Sequence, residues 1–135
     1  MIIGFTGTRL GLSLSQEIVL RQLLSEHQGE FHHGGCVGAD TDAHNIAGKL
    51  GFKIIVHPPT NTSKFTEKYE YEATFLPAKD YLERNQDIVD ASDILFATPD
   101  SEYEKTRSGT WATIRNARKK GMKYYVITPT GKVML

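Results

Sequence analysis

Cysteine is nearly absent from the 135-residue chain: Cys36 stands alone. No internal disulfide can form, and no cysteine-rich zinc site can be built. An excess of one charge sign is missing too. Sixteen Lys and Arg face 16 Asp and Glu, and the net charge is zero with histidine neutral. A general nucleic-acid coat protein needs a basic surplus to displace counterions, so the balance argues against that class while leaving room for a local basic pocket. Long hydrophobic runs are lacking. The apolar start, Met1-Ile2-Ile3-Gly4-Phe5, is too short for a membrane span or a signal peptide and has no charged leader. No membrane partner is therefore expected, and the cytoplasm is the default compartment. Repeats and low-complexity tracts are missing. The five histidines form no His-x-x-x-His or Glu-paired zinc pattern, so neither a protein-held metal nor a cofactor is expected.

What is present reads as one globular domain over 1–135. The hydrophobic share of 39% and charged share of 24% are ordinary for such a domain. A chain of this length buries roughly 65–70% of its unfolded surface, enough to hold a core without staples. Short apolar runs alternate with helix-like stretches. Strands are expected at Ile2–Thr6, Glu30–His33, Phe52–His57, Asp93–Thr98 and Lys123–Thr128, with an edge strand or tail at 131–135. Helices are expected at about Ser15–His27, Asp40–Leu50, Lys79–Ala91 and Gly109–Lys120. Ser13 and Gln16 have capping-box spacing, and Ile18, Val19, Leu23 and Leu24 form an apolar stripe behind them. The polar segment 60–78 is long for an α/β connection, the kind that often serves as a lid. Strand–helix alternation implies an α/β class with a mostly parallel sheet of about five strands and right-handed crossovers. In such sheets ligands sit beyond the carboxyl ends of the strands.

Three strand-to-helix loops carry chemistry suited to an anion. Gly7-Thr8-Arg9 offers free backbone amides, a hydroxyl and a guanidinium able to grip phosphate through two parallel hydrogen bonds. Gly34-Gly35-Cys36-Val37-Gly38-Ala39-Asp40 places three glycines at a helix start, where free N–H groups and the helix dipole attract anions. It is neither a dinucleotide fingerprint nor a P-loop. Asp40 fits a helix cap or a ribose acceptor, and stands one turn before His44, within reach of it. Asp42 reads as a solvent-side charge. Arg107-Ser108-Gly109-Thr110 supplies an N-cap and further donors, with Trp111 as core or as a base wall. Asn85 falls in register with Tyr81, Ile88 and Val89 and so faces inward, where a buried amide needs partners; Arg84 beside it is either solvated or turned to the ligand. Phe65, Tyr69, Tyr71 and Phe75 either pack the irregular segment or stack on a base. Cys36 sits where a helix start favours a thiolate, but no base partner is evident.

Taken in order, Gly7-Thr8-Arg9, Gly34-Gly35 through Gly38-Ala39-Asp40 with Ala43-His44, Tyr81-Leu82-x-Arg84-Asn85, and Ser108-Gly109-Thr110 resemble the SLOG superfamily over nearly the whole chain. That superfamily includes the DNA-processing protein DprA and the LOG phosphoribohydrolases. The resemblance implies a Rossmann-like three-layer sandwich, a nucleotide-type small ligand, and a homodimer or higher homo-oligomer. By matched position it implies a site lined by Gly7, Thr8, Arg9, Gly35, Gly38, Asp40, Arg84, Gly109 and Thr110. LOG enzymes carry Pro-Gly-Gly-x-Gly-Thr-x-x-Glu. Here Arg107-Ser108 replaces much of the glycine run, and Thr113 stands at the glutamate position. Three functions follow: binding or sensing of a nucleotide derivative, hydrolysis of an N-glycosidic bond with Asp40 (or Glu102 or Glu104) as carboxylate, and DprA-like binding of single-stranded DNA.

Overall fold

The computed structural model describes residues 1–66 and 68–134. Glu67 of the expected 60–78 connection and Leu135 of the expected terminal strand or tail lie outside the described residues. The elements run β1 (Ile2–Gly7), α1 (Leu14–Leu24), β2 (Glu30–His33), α2 (Ala39–Lys49), β3 (Lys53–Val56), β4 (Thr74–Phe75), α3 (Tyr81–Ala91), β5 (Ile94–Thr98), α4 (Gly109–Lys120), β6 (Lys123–Ile127) and β7 (Val133–Met134). Among the described residues seven strands form one sheet in the order β4-β3-β2-β1-β5-β6-β7, parallel except for β6 with β7. The five expected strands are all there. β4 was not anticipated, because it is two exposed residues added at the sheet edge beside Ile55 and Val56. β7 is the terminal edge strand, running antiparallel.

Alternation along the strands sorts the core into two layers. Ile3, Phe5, Ile94 and Phe96 turn to α1 and α2, which contribute Leu20, Leu24, Ala43, Ile46 and Ala47. Leu95, Ala97 and Val126 turn the other way, to Val89 of α3 and to Trp111, Ile114 and Ala117 of α4. Trp111 is core, its Nε1 donating to Ser101 Oγ at 3.0 Å. Gly4 lets the end of α3 close on β1, since a Cβ there would lie 2.4 Å from Ser92 Oγ.

Helix α1 starts with the expected capping box at Ser13 and Gln16. Val19, Leu23 and Leu24 of the expected stripe pack on the core, but Ile18 does not. Leu20 and Leu24 are buried with Gln16, whose Nε2 donates to the carbonyls of Pro99 and Ile127, while Ile18 faces solvent. Two polar hydrogen bonds inside the core outweigh hydropathy at that turn. Leu50, at the end of the expected Asp40–Leu50 helix, is likewise exposed. Segment 60–78, expected as a lid or mobile loop, is docked over its described part. Thr66 N donates to Gly35 O, Phe65 packs on the core, and the Tyr69 ring lies flat on His44 with centroids 3.8 Å apart.

Candidate ligand-binding cleft

Strand order reverses between β1 and β5: the chain goes from β1 outward to β2 and β3, then returns to β5 on the other side of β1. A cleft of about 570 Å³ opens there, at the carboxyl ends of the strands. Its volume lies within the range of small-molecule sites. The three loops converge on it. Gly7, Thr8, Arg9, Asp40, Arg84, Ser108, Gly109 and Thr110 all line it, and Gly35 and Gly38 do not.

Gly35 and Gly38 instead shape the loop behind the wall. Both have positive φ, and a Cβ on Gly38 would lie 2.3 Å from the Arg9 carbonyl oxygen. This glycine loop engages its own amides. Gly34 N and Cys36 N donate to Asp40 Oδ2 at 3.2 and 3.1 Å, Gly35 N donates to His33 Nδ1, Val37 N to Lys64 O, and Ala39 N to Thr8 O. The loop carries an internal anion, the Asp40 carboxylate, where a bound phosphate was expected. Asp40 is thus neither the cap of α2, which begins at Gly38 without a side-chain cap, nor a partner of His44. Burial pushes its carboxyl up to about 6 despite two amide donors. Asp42 is exposed as expected, with its carboxylate accepting from Leu12 N.

His44 pairs elsewhere. Gly35 N–H donates to His33 Nδ1, His33 Nε2 meets His44 Nδ1 at 2.8 Å, and His44 Nε2 donates to Tyr71 O at 2.8 Å. The chain is consistent only with both rings neutral, and burial lowers the pKa of each. Tyr69 and Tyr71 therefore lock the irregular segment down rather than face the cleft, and Phe65 and Phe75 stay outside it as well.

Arg84 is no solvated residue. It is 2% exposed, and its Nη1 donates to the carbonyls of Gly34 and His57, joining loops far apart in sequence. Its Nε has no partner among the described residues. Cys36 Sγ lies 3.8 Å from Nη2, but burial and Asp40 push the thiol up, so the helix start yields no reactive thiolate here.

The opposite wall is different. Ser108 caps α4, its Oγ accepting from Trp111 N at 3.2 Å. Gly109 N–H and Thr110 N–H, the first two amides of the helix, have no intrahelical acceptor and lie on the cleft. The Thr110 side chain is buried on the cleft wall without a hydrogen-bond partner among the described residues. Arg9, Lys64 and Arg107 stand exposed on the rim with no ion pair among the described residues. With Arg84 and the Lys105–Asp100 pair, the cleft is strongly cationic in a chain whose net charge is zero. Glu102 and Glu104 are not part of it. Glu102 accepts from Thr130, and Glu104 pairs with Arg115 and Arg118. Thr113 lines the cleft with its hydroxyl donating to Gly109 O. Among the described residues no cluster of His, Cys, Asp or Glu is arranged to hold a metal ion.

No protein-family model matches the chain, and no curated protein matches it. Solved structures do. The molybdenum cofactor binding protein of the phototrophic bacterium Rippkaea orientalis superposes with a TM-score of 0.71 at 21% identity, covering 94% of this chain and 76% of that one. The molybdenum cofactor carrier protein of Chlamydomonas reinhardtii gives a TM-score of 0.61 at 20% identity, covering 94% and 76%. The fold is Rossmann-like α/β. At these identities the likeness concerns the fold alone. The Rossmann-like frame puts the cleft at the topological switch point, where open α/β sheets bind ligands. Asn85 was legible from its helical register. That the amides of the glycine loop would be engaged by Asp40 was not, because the same spacing fits a cap.

Proposed function

We propose that this chain binds and holds a small phosphate-bearing ligand of nucleotide type, with the phosphate at the start of α4. The observation that carries this is the set of free donors on one wall: two open helix-start amides, the unpartnered Thr110 hydroxyl, and Arg9 and Arg107 above them. Helix N-termini attract anions through exposed amides and the helix dipole, and arginine adds bidentate contacts. Binding is favoured over turnover by the state of the carboxylates. Asp40 already accepts two amides, Asp100 is paired with Lys105, and Glu102 and Glu104 lie elsewhere. The fold neighbours, named for binding and carrying a cofactor, support a holding role. Self-association, implied by the SLOG resemblance, belongs to the same proposal and is checked by light scattering.

Calorimetric titration with AMP, GMP, CMP, UMP and ribose 5-phosphate tests the reading. Micromolar binding that weakens in Arg9→Ala supports it, and no binding by any of the five ends it. Hydrolysis remains the second reading because Asp40, raised to about 6, lines the cleft. Free base that accumulates from a monophosphate with the parent protein, and not with Asp40→Asn, moves the assignment to N-glycosidic cleavage.

A further inference from the structure

The cationic side of the cleft accounts for a phosphate. It does not account for Asn85. This residue is 8% exposed, lies inside α3, and lines the cleft. Its carboxamide has no hydrogen-bond partner among the described residues. Helix interiors disfavour asparagine, and this carboxamide is not among the fully buried side-chain groups left without a partner, so its polar atoms are reached from the cleft. Leucine would satisfy helix and burial alike. Ile88, one turn along the same helix, and Phe5 of β1 line the cleft as well, and both are buried. A carboxamide can donate to a phosphate through its NH2, but its Oδ1 finds no donor there. It is well suited to a flat ring, because it offers one acceptor and two donors in one plane. Carboxamides read adenine through two parallel hydrogen bonds in this way.

We infer that Asn85 is the specificity-determining residue of the cleft. It recognises a planar nitrogen heterocycle presenting adjacent donor and acceptor atoms, while the start of α4 holds the phosphate. This rests on the phosphate-ligand reading above. It divides the site into an anchoring wall, common to any sugar phosphate, and a discriminating wall on α3.

Calorimetry of the full chain with AMP, GMP and ribose 5-phosphate separates the two walls, using the parent, Asn85→Leu and Asn85→Asp. The parent is expected to favour at least one purine monophosphate over ribose 5-phosphate by about tenfold, the worth of one bidentate pair. Asn85→Leu is expected to erase that preference while leaving ribose 5-phosphate affinity unchanged, with a melting temperature equal to or above the parent's. Asn85→Asp replaces the donor with an acceptor, so the ratio of GMP to AMP affinity is expected to rise, since guanine presents two adjacent donors. If all three probes bind the parent equally, or the preference survives in Asn85→Leu, or the ratio is unchanged in Asn85→Asp, the assignment is overturned and the anchoring wall stands. A lower melting temperature in Asn85→Leu with uniform loss of affinity makes Asn85 structural, which also overturns it. If none of the three probes binds the parent, the phosphate-ligand reading falls and this inference falls with it.

Discussion

Two strand-to-helix loops meet at the same cleft, and they treat their backbone amides in opposite ways. The loop at 34–39, with three glycines, has protein acceptors for five of its amides: Asp40 takes Gly34 and Cys36, His33 takes Gly35, and the carbonyls of Lys64 and Thr8 take Val37 and Ala39. The loop at 107–110, with one glycine, caps a single amide with Ser108 and leaves Gly109 and Thr110 open. Glycine content makes backbone approach easy, but it does not say whether the amides are free. An anion-ready loop is one without an internal anion. By that measure the glycine-poor loop is the proposed binding wall, and the glycine-rich loop is its buttress.

The largest expected effect breaks the buttress. Gly38 has φ of 93°, and a Cβ there meets the backbone of Arg9. Gly38→Val is expected to cost about 3 kcal/mol or more, through strain and displacement of the Gly7-Thr8-Arg9 turn, read as a fall in the urea midpoint. Removing the internal anion comes next. Asp40→Ala leaves the Gly34 and Cys36 amides without an acceptor, at roughly 1–3 kcal/mol. Added phosphate is expected to restore more of the melting temperature in Asp40→Ala than it adds to the parent, because the vacated turn can then hold it. Equal gains in both proteins would show that Asp40 does not occupy an anion position. Arg9→Ala addresses the binding wall. Its exposed side chain makes no ion pair among the described residues, so stability should change by less than about 0.5 kcal/mol. Affinity for a bound monophosphate should fall about tenfold, since a charge-assisted contact is lost. A large drop in melting temperature would place Arg9 in the buttress instead.

Acid sharpens the same contrast with a smaller effect. Burial lowers the pKa of His33 and His44 and holds His57 at about 4. The unfolded chain takes up protons near pH 6.5 at these positions, and the folded chain does not. Their stabilisation is therefore complete above about pH 6.5 and is lost as the pH falls toward about 4. Asp40 works in the opposite sense over about pH 4 to 6, because its raised pKa stabilises the folded chain at the lower end. Three histidines oppose one carboxyl, so the melting temperature should fall between pH 7 and pH 5. A flat profile over that range would contradict the neutral histidine chain.

The order of strands and helices was legible from the alternation of apolar runs, and so was the convergence of loops at the sheet's carboxyl edge. What was not legible depends on distant partners. Arg84 reads as either solvated or turned to the ligand, yet its acceptors, the carbonyls of Gly34 and His57, lie 50 and 27 residues away. Asp40 has the spacing of a cap and of a His44 partner, and only the folded turn decides for the amides behind it. The short exposed strand β4 has no pattern to read, since two residues carry no alternation. Ile18 shows the limit of hydropathy: Gln16 takes the buried position because two carbonyls await it.

The most direct measurement follows backbone amides by heteronuclear NMR while AMP is added to the isotope-labelled chain. The largest shifts are expected at Gly109 and Thr110, with Gly34, Gly35 and Cys36 moving little. Dominant shifts in the glycine loop, or no saturable shift at the start of α4, would contradict the placement of the phosphate.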